Sequence, residues 1–174
     1  VVFDANSFTT SGQTVTLDVV GKCYNMTWLS VLFNPNLAGS AQNLEIHGDL
    51  FLSPSMSQNW TGRWKLLAND GNTHSINLFG KTLTDIHLAT TNNSTIRLDG
   101  NLSFSDSLTL ASGHFNTNGK SVFGKNFNLT GNASRTLTLG SSEILLNEGI
   151  WNVDDPTNLT LSAGTSEIIL KSHG

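Results

Sequence analysis

The stretch Ile96-Arg97-Leu98-Asp99-Gly100-Asn101-Leu102-Ser103-Phe104 aligns without gaps onto Leu44-Glu45-Ile46-His47-Gly48-Asp49-Leu50-Phe51-Leu52. Each copy reads apolar, polar, apolar, then a three-residue turn around glycine, then a second apolar pair. Alternation of this kind places one face of a short strand in a core and the other in water. The same alternation recurs along the chain, at Val15-Thr16-Leu17, Leu108-Thr109-Leu110, Phe127-Asn128-Leu129, Leu137-Thr138-Leu139 and Leu159-Thr160-Leu161. Turn signals such as Asp70-Gly71-Asn72, Asn118-Gly119 and Ala163-Gly164 separate the runs. No segment carries apolar residues at helical spacing between credible caps, so the chain reads as all-β.

Order within the repeats separates two all-β architectures. The pattern returns at Leu137-Thr138-Leu139-Gly140 and at Ile168-Ile169-Leu170. A second element, Phe8-Thr9-Thr10-Ser11-Gly12-Gln13-Thr14-Val15, resembles Phe115-Asn116-Thr117-Asn118-Gly119-Lys120-Ser121-Val122, with a weaker copy over Asn69 to Ile76. A β-sandwich or jelly roll, the alternative fold, has no reason to repeat a short signature along the chain, whereas a parallel β-solenoid does. The reading predicts one solenoid domain over 1–174 with coils of uneven length. Segments Leu44–Leu52, Ile96–Phe104 and Leu137–Leu146 are expected to stack in parallel and in register on one face. Leu44, Ile46, Ile96, Leu98, Leu108, Leu110, Phe127, Leu129, Leu137, Leu139, Leu159, Leu161, Ile168 and Leu170 are expected inside, and Glu45, Arg97, Thr138 and Thr160 outside.

Composition narrows the function. The 174 residues include 20 each of Asn, Ser and Thr, with 16 Gly and only 13% charged residues. A net charge of −4 with nine scattered Lys and Arg argues against nucleic acid and anionic membrane surfaces as partners. No apolar run approaches the roughly 20 residues of a membrane-spanning helix, so no membrane insertion is expected. The lone Cys23 excludes an internal disulfide and a thiolate metal cluster. The chain opens on Val1-Val2-Phe3, without an initiator Met, in a strand-like pattern that suits an excised piece of a longer protein.

Several stretches resemble the β-helical repeat regions of large secreted bacterial cell-surface proteins, many of them adhesin-like. Phe3-Asp4-Ala5-Asn6-Ser7-Phe8-Thr9-Thr10-Ser11-Gly12-Gln13-Thr14-Val15-Thr16 is similar to the opening of such repeats, and Cys23-Tyr24-Asn25-Met26-Thr27-Trp28 to the element that follows it. Arg135 to Ser142 and Asn158 to Ser166 resemble later coils. The resemblance implies a right-handed parallel β-helix, an extracellular or cell-surface location and a structural or adhesive role. It implies flanking repeats of the same polypeptide as partners, with surface glycans or self-association through coil ends as further possibilities, and it carries over no active site and no cofactor.

Some β-helices bind or degrade polysaccharides, which is the alternative function and needs acids, bases or exposed aromatic rings on one face. The repeat alignment brings His47 opposite Asp99 and Asp49 opposite Asn101, a candidate polar patch whose simpler reading is ordinary turn chemistry. His74, His87, His114 and His173 show no metal-ligand spacing, and Asp154, Asp155 and Glu148 read as turn caps rather than a calcium loop. Trp28 and Trp151 fall in alternating runs and read as core or coil-end caps. Trp60 and Trp64 flank Gly62 and Arg63 in the least repetitive segment, where Trp60, Trp64 and Arg63 are the candidates for glycan contact. Ice binding through flat threonine arrays is a minor alternative, suggested by Thr14-Val15-Thr16 and Thr136-Leu137-Thr138 and opposed by the uneven repeat spacing.

Overall fold

The computed structural model describes residues 1–39 and 42–172, so His173 lies outside the described residues. The chain winds into about eight coils, each visiting three faces in the same order. The first three coils run β1 (Val2–Phe3), β2 (Thr14–Leu17), β3 (Gly21–Cys23); β4 (Met26–Trp28), β5 (Asn36–Gly39), β6 (Asn43–Ile46); and β7 (Leu50–Phe51), β8 (Ser57–Gln58), β9 (Arg63–Leu66). Next come β10 (Thr73–Asn77) with β11 (Thr82–Ala89), then β12 (Thr95–Leu98) with the long β13 (Leu102–Asn116), which turns two corners before β14 (Val122–Gly124) and β15 (Asn126–Leu129). The last coils hold β16 (Arg135–Thr138), β17 (Glu143–Asn147), β18 (Trp151–Val153), β19 (Leu159–Ser162) and β20 (Glu167–Lys171).

Every strand pairing is parallel, as the solenoid reading requires. Face I carries β1, β4, β7, β10, β12, the end of β13, β16 and β19. Face II begins as the separate sheet β2–β5–β8 and continues through the starts of β11 and β13 into β14, β17 and β20. Face III holds β3, β6, β9, the remainder of β11, the middle of β13, β15 and β18.

The register corrects one expectation. Leu44 stacks between Gly21 and Trp64 on face III, and Leu50 pairs with Ile76 on face I. Ile96, in contrast, lies between His74 and Phe115 on face I, with Leu102 against Val122 on face II. Segments 44–52 and 96–104 therefore span adjacent corners of the tube and do not stack on each other. Every corner makes the same demand on sequence, an inward pair, a tight turn and another inward pair, so a local alignment matches corners rather than coils. The true coil offsets are shorter than the repeat spacings suggest: Ile96 pairs Phe115, 19 residues on, and Leu50 pairs Ile76, 26 residues on. Segments 96–104 and 137–146 do share faces I and II, with Phe115 and Val122 between them.

A single cluster of buried apolar side chains fills the tube from Phe8 to Leu146. Ten of the fourteen predicted core residues, Leu44 through Leu139, are at most 3% exposed, while Leu159 is half-buried and Leu161, Ile168 and Leu170 are exposed. Glu45, Arg97 and Thr138 point outward but are half-buried by the side chains of neighbouring coils, and Thr160 is exposed. Close stacking fixes some glycines: at Gly113, whose φ is +78°, a Cβ would lie 2.5 Å from the Thr90 carbonyl oxygen of the coil below.

Candidate functional site

Of the candidate glycan-contact residues, Trp60 and Trp64 lie where no sugar could stack on them. Trp60 and Trp64 are 0% exposed, and their rings meet edge to face with centroids 4.9 Å apart inside the tube. Trp64 takes the inward place held by Leu44 below it and Ile86 above. A Cβ on Gly62 would sit 2.3 Å from the Trp60 ring, so this glycine lets the indole pack inside. The loss of repeat pattern over Asn59 to Lys65 reflects two large rings replacing aliphatic core residues, not an exposed loop. Arg63 stays at the surface, its Nε donating to Asp85 Oδ2 at 2.6 Å. Trp28 is buried against Phe3 and Phe8, and Trp151 packs on Phe127, matching the core and cap reading.

The expected patch of His47, Asp49, Asp99 and Asn101 is divided between two corners. At the corner leading from face III to face I, His47 Nδ1 lies 3.1 Å from the Leu67 carbonyl, and Asp49 accepts the Ser75 N–H at 2.8 Å. At the corner leading from face I to face II, Asp99 pairs with Arg97 at 3.0 Å, and Asn101 accepts the Ser121 N–H at 3.1 Å. All four tie turns together, the ordinary role of such residues. Asp155 likewise caps its own turn, accepting the Thr157 N–H at 2.8 Å, and these contacts hold its carboxyl below the usual range.

A cluster that the sequence did not suggest forms at the corner between faces III and I. The Tyr24 hydroxyl donates to Asp70 Oδ2, His74 Nε2 lies 2.9 Å from Asp70 Oδ1, and His74 Nδ1 is 3.8 Å from Asp49 Oδ1. His74 is 5% exposed, and its ring meets Tyr24 edge-on at 5.9 Å. The hydrogen bond from Tyr24, with those from Asn72 and His74, holds the Asp70 carboxyl far below its ordinary range. The same bond raises the Tyr24 hydroxyl, which opposes its use as a base. Residues 24, 49, 70 and 74 come from three successive corners, so the cluster laces coils together. Only the register reveals this, because Tyr24, Asp49 and Asp70 are separated by about one coil length in sequence.

Burial pushes His87 down, helped by Arg63 and Lys65 on the same outward face, and burial raises the Cys23 thiol. Among the described residues, no group of three His, Cys, Asp or Glu side chains is arranged to hold a metal ion. The two Thr-x-Thr motifs lie on different faces, Thr14 and Thr16 on face II and Thr136 and Thr138 on face I, so they do not form one array.

A lateral cavity of about 570 Å³ opens at the face I to face II corner of the second to fourth coils. Trp28, Leu29, Leu32, Phe51, Pro54 and Phe79 line it. Phe79 is half exposed with φ of +48°, an uncommon conformation for an aromatic residue, and its N–H donates to Asn77 Oδ1 at 3.0 Å. Lys81 at the same turn donates its Nζ to the Pro54 carbonyl at 3.0 Å. The sequence signal was the run Trp28 to Phe33, whose apolar residues break period two.

The two tube ends differ. At the first coil Phe3, Val15, Leu17 and Cys23 are half-buried, and Phe8 folds over Phe3 and Trp28 at centroid distances of 5.7 Å. At the eighth coil nothing among the described residues covers the inward side chains: Leu161 is 47%, Ile168 38% and Leu170 57% exposed. No protein-family model, curated protein or solved structure matches the chain.

Proposed function

We propose that this chain is a non-catalytic structural or adhesive segment of a larger bacterial cell-surface protein, with its coils continuing into flanking coils of the same polypeptide. The observation that carries this reading is the exposed inward row Leu161, Ile168 and Leu170 on the eighth coil. Those residues stack in register above Leu137, Ile144 and Leu146, each 0% exposed. The outer edge of β18, β19 and β20 also presents backbone groups that only another strand satisfies fully. A surface with both properties has the shape of a further coil. The extracellular setting and adhesive role rest on the resemblance of the repeat motifs to secreted surface proteins, and the Asn-, Ser- and Thr-rich faces suit such a setting.

Sedimentation over a range of concentrations tests the end surface. The isolated chain should associate end to end, and Leu161→Lys with Leu170→Lys should leave it monomeric and folded. A wild-type chain that stays monomeric and binds no apolar dye would count against the flanking-coil reading. Incubation with alginate, pectin, chitin and glucan should release no new reducing or unsaturated ends. Release that disappears in a folded His74→Ala variant would replace the structural reading with a carbohydrate-degrading one.

A further inference from the structure

Two neighbouring cavities at the corner between faces II and III share Glu148 and run along the tube axis. The first, about 520 Å³, spans the fourth to seventh coils, and the second, about 370 Å³, continues to the eighth. One wall is apolar, because Phe104 and Phe123 line the first cavity and Leu170 the second, and Phe123 heads an outward row on face II that continues beside the groove through Leu145 and Ile169. The other wall is polar. Asn147 pairs with Lys171, and Lys125 follows the Gly124–Leu146 pair, so Lys125, Asn147 and Lys171 form one column over three coils.

Glycines set the depth of this groove. A Cβ on Gly124 would lie 2.1 Å from the Phe104 ring, and one on Gly149 would lie 1.7 Å from the Lys125 carbonyl oxygen. The corner therefore stays recessed behind its two walls. The other cations of the chain are mostly committed. Lys22, Arg63, Lys65 and Arg97 are in ion pairs, Lys81 holds a carbonyl, Arg135 is buried, and Lys120, half-buried and in no ion pair, lies away from this groove. Among the described residues, Lys125 and Lys171 are exposed and in no ion pair. In an acidic chain, two uncommitted amines on one groove wall mark where an anion would be received.

We propose that this groove binds a linear acidic polysaccharide of uronic acid units, lying along the tube axis. Successive coils are spaced about 4.8 Å apart, close to the length of one sugar in an extended chain, so each coil meets one unit. Lys125 and Lys171 are two coils apart, about 10 Å by that spacing, and an extended two-fold uronan presents carboxylates on one side at every second sugar. Phe123 faces the C–H surface of a ring, and Asn147 meets the hydroxyls between the charged positions. Glu148 rims both cavities. The second cavity lies on the open eighth coil, lined by Leu170, Lys171 and Ser172, so its depth depends on what covers that coil.

The test is calorimetric titration of the full chain with oligomers of mannuronic and galacturonic acid, dimer to octamer, beside neutral cello-oligosaccharides. Affinity for one uronate series should rise up to about the tetramer, weaken with added salt, and exceed that for the neutral series. The double variant Lys125→Ala, Lys171→Ala should lose about tenfold or more in affinity with an unchanged melting temperature, since both amines are exposed. Phe123→Ala should weaken binding to a similar degree. Absence of uronate binding, equal binding of neutral oligomers, or uronate affinity indifferent to loss of both lysines would overturn the proposal.

Discussion

Leu137 and Leu161 are the same residue type, adjacent in register on the same face, and both point into the tube; one is 0% and the other 47% exposed. Ile144 with Ile168 and Leu146 with Leu170 repeat the contrast between the seventh coil and the eighth. An inward position in a solenoid is half of a burial site, and the next coil supplies the other half. Periodicity therefore identifies which side chains point inward without fixing how much each contributes. The amount depends on whether a neighbour lies above, which in this chain fails at the eighth coil and holds at the seventh.

The strongest way to break this comparison is to place the same charge at both sites. Leu137→Asp buries a carboxylate with no partner and should cost about 4 kcal/mol or more. Leu161→Asp leaves the carboxylate at the open end in water and should cost under about 1 kcal/mol. Urea unfolding below the concentration at which chains associate measures both. Equal losses would mean that Leu161 is covered in solution and that the two coils do not differ.

A second contrast concerns the corners. The first four coils are laced by Tyr24, Asp49, Asp70 and His74, whereas the corner beside the eighth coil relies on buried Arg135, whose Nε and Nη2 donate to the Ala133 and Asp155 carbonyls. Asp70 is held ionised in the folded chain far below its ordinary range. A carboxyl depressed on folding stabilises the fold above its unfolded pKa, about 3.9, and that contribution fades as pH falls below it. Acid should therefore loosen the N-terminal coils first. Hydrogen exchange at neutral and acid pH should show Thr73–Asn77 losing protection earlier than Arg135–Thr138. Asp70→Asn should lower the melting temperature at neutral pH and remove most of this pH dependence, and an unchanged acid profile would show that the lacing does not stabilise the corner.

Much of this architecture was legible because strand periodicity is a local property. The alternation at Leu108 to Leu110 or Phe127 to Leu129 needs no knowledge of neighbours, and those residues are buried as read. The phase of the coils was not legible, since 44–52 and 96–104 share a corner signature while lying one face apart. Trp60 and Trp64 misled for a related reason: breaking a repeat pattern signals altered packing as readily as exposure, and here two rings pack inside. The Tyr24 to His74 cluster and the Lys125 to Lys171 column depend on which coil lies over which, so neither could be read without the register. The exposed Phe79 and its cavity depend on a turn whose aromatic residue has a positive φ, where glycine or asparagine would be the usual choice.

The smallest expected effect sharpens the comparison within a single strand. Arg97 lies between Ile96 and Leu98 on β12, both buried, and points outward with its side chain 41% exposed. Its guanidinium meets Asp99 at 3.0 Å and donates to Ser75 Oγ at 3.3 Å. Arg97→Asp removes that pair and sets two carboxylates near each other, but both are reached by water and salt, where such pairs are worth up to about 1 kcal/mol. The variant should thus lose under about 1 kcal/mol, and added salt should shrink the loss because the new repulsion is screened. Urea midpoints at low and high ionic strength measure both effects. A loss as large as that of Leu137→Asp, insensitive to salt, would place Arg97 on the inner side of the strand and invert the register assigned to β12.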